Sequence, residues 1–252
     1  MRLKEALGVR PSEMVSFIGA AGKTTTLFAL AKELRDEGGK VLLTTTTKIL
    51  KPTKPHVDRL FLIEDINAFP AEILKITAPA IIAAGYQIDQ EGKLVGLPAP
   101  WIDELEKRAL FNSLLVEADA AASRLFKVPS EIEPVVPPNC HLVVWLMAIK
   151  VLGKPLDGVH VHRAERAASL LGVAPGTILT GEHILRLIKH PEGSLKGVPT
   201  LSRRVALITH ADSPDEIEMG KQLARNLLPL GFERVVIASY LKENSVEQVM
   251  VR

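Results

Sequence analysis

The chain is nearly devoid of cysteine, with Cys140 standing alone. No intramolecular disulfide can form, so nothing supports an oxidising compartment, and no cysteine cluster is available to hold zinc. An excess of charge of one sign is also missing. The 31 lysines and arginines against 29 aspartates and glutamates leave a formal charge of +2. Acids and bases are interleaved, unlike the strongly basic face of a nucleic-acid binder. Long apolar runs are missing too: the longest, residues 142–149, stops at Lys150 and is too short to span a bilayer as a helix. Met1-Arg2-Leu3-Lys4-Glu5-Ala6 lacks the apolar core of a signal peptide. These absences point to a cytoplasmic protein with no membrane or nucleic-acid partner. Internal repeats, low-complexity tracts and clear linkers are absent as well.

What is present is core material in a regular pattern. The 252 residues are 47% hydrophobic and 24% charged, a globular composition. Strand-like and helix-like segments alternate, which predicts an α/β fold with a mostly parallel sheet flanked by helices. Residues 14–18, 41–43, 60–63, 80–85, 114–116, 142–147, 204–209 and 234–239 read as strands, the last of these as the final strand. Residues 93–96 are expected to pair with 80–85 as a hairpin. Helices are expected at 25–35, stopped by Gly38-Gly39, and at 101–109, 162–171, 182–189 (capped by Thr180) and 216–228. The proline-rich stretch 129–138 reads as loop. One domain over residues 1–252 is expected, with a small helical insert at about 153–200.

The strongest motif is Gly19-Ala20-Ala21-Gly22-Lys23-Thr24, placed between the first strand and the first long helix. Glycine and small side chains let successive amides turn inward toward phosphate oxygens, and the positive end of the helix adds to the attraction. Lys23 would reach the β- and γ-phosphates of ATP or GTP, and the Thr24 hydroxyl would meet Mg²⁺. The common pattern carries a further glycine where Phe17 stands. The shorter form resembles the loop of the Mur-type amide ligases, which ends in Gly-Lys-Thr-Thr. Thr25 continues that likeness. A P-loop NTPase-like fold follows as the expectation.

Ligands of such sheets sit beyond the carboxyl ends of the strands. Glu117 and Asp119 fall there, as candidates to hold Mg²⁺ with Thr24 or to position water or an acceptor. Thr44 to Thr47 end the second strand, and Thr45 is taken as a binding candidate. β-Branched threonines also suit strands without any ligand role. Arg124 and Lys127 follow the carboxylates and read either as anion contacts or as solvated surface. His160 and His162 are too few for a metal site. Cys140 precedes an apolar strand and reads as buried and inert.

Gly19 to Thr25 and Val41-Leu42-Leu43-Thr44-Thr45-Thr46-Thr47-Lys48 together resemble the selenium-dependent hydroxylase accessory proteins, the YqeC family. So do Leu115-Val116-Glu117-Ala118-Asp119-Ala120-Ala121 and the run Arg124 to Pro129 with Glu131, Glu133 and Pro134. Gly153-Lys154-Pro155-Leu156, leading to His162-Arg163, extends the likeness along nearly the whole chain. Ala120 stands where that family usually has glycine. Ile208-Thr209-His210-Ala211-Asp212 replaces an Asn-Lys-x-Asp type segment, so either Asp212 meets a guanine edge or Asp212-Ser213-Pro214 merely caps the next helix. The resemblance implies a nucleotide-binding protein that helps mature a selenium-containing molybdenum hydroxylase, with that enzyme or its cofactor-assembly proteins as partners. Hydrolysis, with Lys23, Glu117 and Asp119 as catalytic groups, is the main expectation. A kinase or ligase reaction on a small acceptor, or a nucleotide-gated carrier, are the alternatives.

Overall fold

The computed structural model describes residues 1–67, 71–241 and 245–252. In chain order the first half contains α1 (Leu3–Leu7), β1 (Met14–Gly19), α2 (Lys23–Asp36), β2 (Lys40–Thr45), β3 (Lys48–Leu50), β4 (Arg59–Leu62) and α3 (Ala71–Lys75). Then come β5 (Ala80–Gly85), β6 (Gln87–Ile88), β7 (Lys93–Val95), α4 (Ala99–Lys107), β8 (Ser113–Glu117) and β9 (Phe126–Lys127). The remainder contains β10 (Leu142–Ala148), β11 (Val161–His162), α5 (Ala164–Leu171), α6 (Gly181–Lys189), β12 (Arg203–Thr209), α7 (Pro214–Leu227), β13 (Arg234–Ala238) and β14 (Val246–Val251).

Among the described residues nine strands form one sheet in the order β14-β13-β12-β10-β1-β8-β2-β5-β4. Every neighbouring pair is parallel except β13 with β14. β1, β2, β5, β8 and β10 are buried along their full length, as parallel strands covered on both faces must be. Alternate residues serve opposite faces. Val15, Phe17, Val41, Leu43, Leu115 and Val144 pack with Leu27, Leu30 and Leu34 of α2. Met14, Leu42, Leu114, Val116, Val143 and Trp145 pack with residues of α4 to α7 on the other side. Trp145 anchors that second layer, with Phe126 edge-on at 6.3 Å and Phe232 at 5.9 Å. The architecture is α/β with a large, mostly parallel sheet flanked by helices, consistent with a P-loop NTPase-like fold. No helix among the described residues is long and apolar enough to cross a membrane.

Three expectations need correction. Lys93–Val95 does not form a hairpin with β5, because β5 is enclosed by parallel neighbours β2 and β4. β7 instead pairs antiparallel with β3 and β6 in a separate three-stranded sheet. That sheet presses on the end of β5: a Cβ on Gly85 would lie 2.3 Å from the Leu94 side chain. β13 is not the last strand, since β14 adds an antiparallel edge whose side chains are half buried or exposed. The helix expected from His162 starts at Ala164, because His162 pairs with Lys127 in a small β9–β11 sheet and Arg163 turns left-handed at φ 63°. Thr180 caps α6 in a reciprocal bond with His183, as its position implied.

Candidate functional site

The turn between β1 and α2 is built by backbone constraint. Gly19 has φ +97°, and a Cβ there would come within 2.3 Å of the Leu146 carbonyl oxygen on β10. That oxygen accepts from the Ala20 amide at 2.9 Å, so β10 and the turn touch backbone to backbone. Ala21 and Gly22 continue in left-handed conformations at φ 63° and 112°. The Thr209 hydroxyl at the end of β12 donates to the Ala21 carbonyl at 2.8 Å. Thr26 donates to the Gly22 carbonyl at 2.7 Å and is itself bonded to the Tyr240 phenol. Tyr240 is half-buried with its ring against Gly22, and desolvation pushes its phenol up to about 12.

The helix behind this turn is left open at its positive end. Gly22 is the N-cap of α2 and supplies no side-chain cap, and the first turn carries no acidic residue. Among the described residues, no acceptor meets the amides of Gly22, Lys23, Thr24 and Thr25. Unclaimed amides of this kind, at the positive end of a helix, are matched to an anion.

Four of the residues singled out in the sequence converge here. Phe17 on β1 and Thr45 on β2 flank Glu117 of β8 in register, which places the carboxylates at the strand ends beside the turn. Glu117 Oε2 accepts from the Thr24 hydroxyl at 2.8 Å. Lys23 is only 5% exposed, and its ammonium donates to the Gly19 carbonyl at 2.7 Å. The same ammonium lies 3.0 Å from Asp119 Oδ1, while Asp119 Oδ2 accepts from the Gly19 amide at 2.9 Å. Asp119 thus bridges the start of the turn and its lysine. Burial pushes the Glu117 carboxyl above the usual range, opposed by Lys23 and the Thr24 hydroxyl and reinforced by Asp119.

The other candidates are placed differently. The Thr45 hydroxyl donates to the Glu117 carbonyl at 2.7 Å, bracing β8 rather than facing the turn. Thr44 bonds the Ala84 carbonyl, and Lys48 is exposed beside Asp89. Asp212 is engaged at both oxygens, by Lys150 and by the Ser239 hydroxyl at 2.7 Å. The cap of α7 is made by Ser213 with Glu216, which also accepts from the Asp212 amide. His160 is tied to Asp157, and no cluster of three or more metal-ligating side chains occurs among the described residues. Cys140 is buried against Ser16, and burial pushes its thiol up to about 11.

Two residues of the site escaped sequence reasoning. Lys127 reads from the sequence as an anion contact or solvated surface, yet it is 2% exposed and its ammonium lies 3.1 Å from Asp119. Its setting between Phe126 and Val128 was the available signal for burial. Tyr240 lies over two hundred residues from the turn it braces, and nothing local in the sequence marks it.

Two comparisons bear on this arrangement. The family model described as YqeC protein matches residues 15–165, a span that holds the glycine turn, both strand-end carboxylates and Lys127. Over 199 residues the chain is 34% identical to a protein of Escherichia coli (strain K12) named Uncharacterized protein YqeC, covering 79% of this chain and 76% of that one. The chain belongs to the YqeC family.

Proposed function

We propose that the protein binds a nucleoside triphosphate with Mg²⁺ at the Gly19–Thr24 turn and uses it, by hydrolysis, in maturing a molybdenum hydroxylase. The observation that carries the binding reading is the uncapped, amide-bearing end of α2 with the buried Lys23 ammonium beside it. The pathway comes from the family resemblance.

The residues fit a magnesium ion. The Thr24 hydroxyl and the Glu117 carboxylate, 2.8 Å apart, and the nearby Asp119 are hard oxygen donors. Mg²⁺ is commonly held by one or two carboxylates plus substrate phosphates and water, so this small donor set suits it. Thr24 with Glu117 or Asp119 would hold the ion, which would supply charge neutralisation at the phosphates.

The chain's own groups do the rest. The amides at the start of α2 orient the phosphate oxygens. Lys23 exchanges Asp119 for a phosphate oxygen and neutralises charge that develops in transfer. Asp119, then freed on Oδ1, is set to orient a water or an acceptor. Thr209 and Tyr240 hold the turn rigid, so the amides need no reorganisation. A base contact by Asp212 would require Lys150 to yield, so ATP and GTP must both be tried.

Isothermal titration of the wild type and Lys23→Ala with Mg·ATP and Mg·GTP tests the reading. Binding by the wild type, weakened at least tenfold in the variant, is expected. Equal heats from the two proteins with both nucleotides would sink it.

A further inference from the structure

Lys127 is enclosed more completely than Lys23, at 2% exposure against 5%. A buried ammonium is costly unless paired, and this one is paired on every side. It donates to the Ala120 carbonyl and to Glu133 Oε2 at 3.0 Å, and it lies 3.1 Å from Asp119 Oδ2. Glu133 is held in turn by Arg163 at 2.8 Å. Charges therefore alternate along a continuous chain: Lys23, Asp119, Lys127, Glu133, Arg163.

Asp119 is the shared link, with one lysine at each oxygen. Lys23 opens α2, directly beside the unclaimed amides. Lys127 is fixed in β9, whose Phe126 packs on Trp145 and whose backbone pairs with β11. If Lys23 alone faced Asp119, the buried carboxylate would hold it, and a triphosphate would have to break an uncompensated ion pair to recruit it. A second cation that stays behind removes that obstacle.

We propose that Lys127 is a positioning residue that keeps its ammonium on Asp119 and so releases Lys23 to a bound triphosphate. The proposal rests on the nucleotide-binding reading above. It assigns Lys127 no contact with the phosphates; it acts through Asp119.

The test is a double-mutant cycle on the full chain, read as equilibrium binding of ATP and of GTP, each in Mg²⁺ and in EDTA. Lys127→Met is expected to weaken binding at least tenfold, and Lys127→Arg to stay within about threefold of wild type. In an Asp119→Asn background, where no carboxylate holds Lys23, Lys127→Met is expected to add less than a threefold loss. A merely structural lysine would instead cost the same in both backgrounds, and that result overturns the proposal. Wild-type affinity in Lys127→Met overturns it too, while leaving the nucleotide reading intact. Failure of the wild type to bind either nucleotide defeats the reading beneath it. If Lys127→Met does not melt cooperatively, Lys127→Met/Glu133→Gln, which removes one charge of each sign, takes its place in the cycle with the same expected outcomes.

Discussion

Gly19→Ala would put a methyl group into the tightest backbone contact of the site. The new carbon would lie 2.3 Å from the Leu146 oxygen, 3.0 Å from its nitrogen and 3.2 Å from its carbonyl carbon. These are backbone atoms of a fully buried central strand, and β10 is pinned by β1 on one side and β12 on the other. Relief therefore requires the turn to move, which breaks the Ala20 amide bond to Leu146. Two costs add. A left-handed residue bearing a Cβ costs about 1–2 kcal/mol, and overpacking a rigid interior costs about 1–3 kcal/mol. The sum, about 2–5 kcal/mol, is a large part of the roughly 5–15 kcal/mol that stabilises a typical domain. Gly38 provides the control, because it has φ +93° but nothing within 4 Å of its would-be Cβ. Gly38→Ala incurs the conformational cost alone. Urea denaturation followed by circular dichroism should show Gly19→Ala less stable than Gly38→Ala by about 1–3 kcal/mol, with equal slopes. Equal losses in the two variants would refute the claim that β10 and the turn are locked together.

Other consequences are directly measurable. Folded Glu117 keeps its proton to a higher pH than the unfolded chain, so its ionisation opposes folding as pH rises above the unfolded carboxyl value, about 4.3. Glu117→Gln should therefore gain stability relative to wild type between pH 4 and pH 7 in urea titrations; a constant or shrinking difference would contradict the burial argument. The Cys140 thiol, pushed up to about 11 by burial, should resist a disulfide reagent at pH 8 in the native protein and react readily once denatured. Rapid native labelling would show that the β10 end of the core opens. Tyr240→Phe removes the phenol bonded to Thr26 while keeping the ring against Gly22. It should cost about 1 kcal/mol of stability in the same denaturation assay, and a neutral result would mean the hydroxyl does not brace the turn.

The legible parts of the fold were those with a local signature. β1, β2, β8 and β10 are short, mainly apolar segments because they are buried on both faces, and such segments are visible without tertiary knowledge. The meeting of Lys23, Thr24, Glu117 and Asp119 was legible too, since a parallel sheet brings strand ends to one edge. Pairing partners were not legible. Lys93–Val95 alternates like a hairpin arm, but its register was decided by which edge of β5 was free, and neither was. β14 carries Glu247 and Gln248 side by side and has no fully buried residue, so its edge position hid it among loops. Lys127 shows the same limit within the site: a lysine among apolar neighbours looks ambiguous until Asp119 and Glu133 are seen around it.

A crystal structure with Mg²⁺ and a non-hydrolysable triphosphate puts the glycine turn to the most direct trial. The phosphates should rest on the amides from Gly22 to Thr25, with the Lys23 ammonium moved from Asp119 to a phosphate oxygen and Lys127 still on Asp119. A turn left bare at saturating nucleotide, with Lys23 unmoved between Gly19 and Asp119, would contradict it.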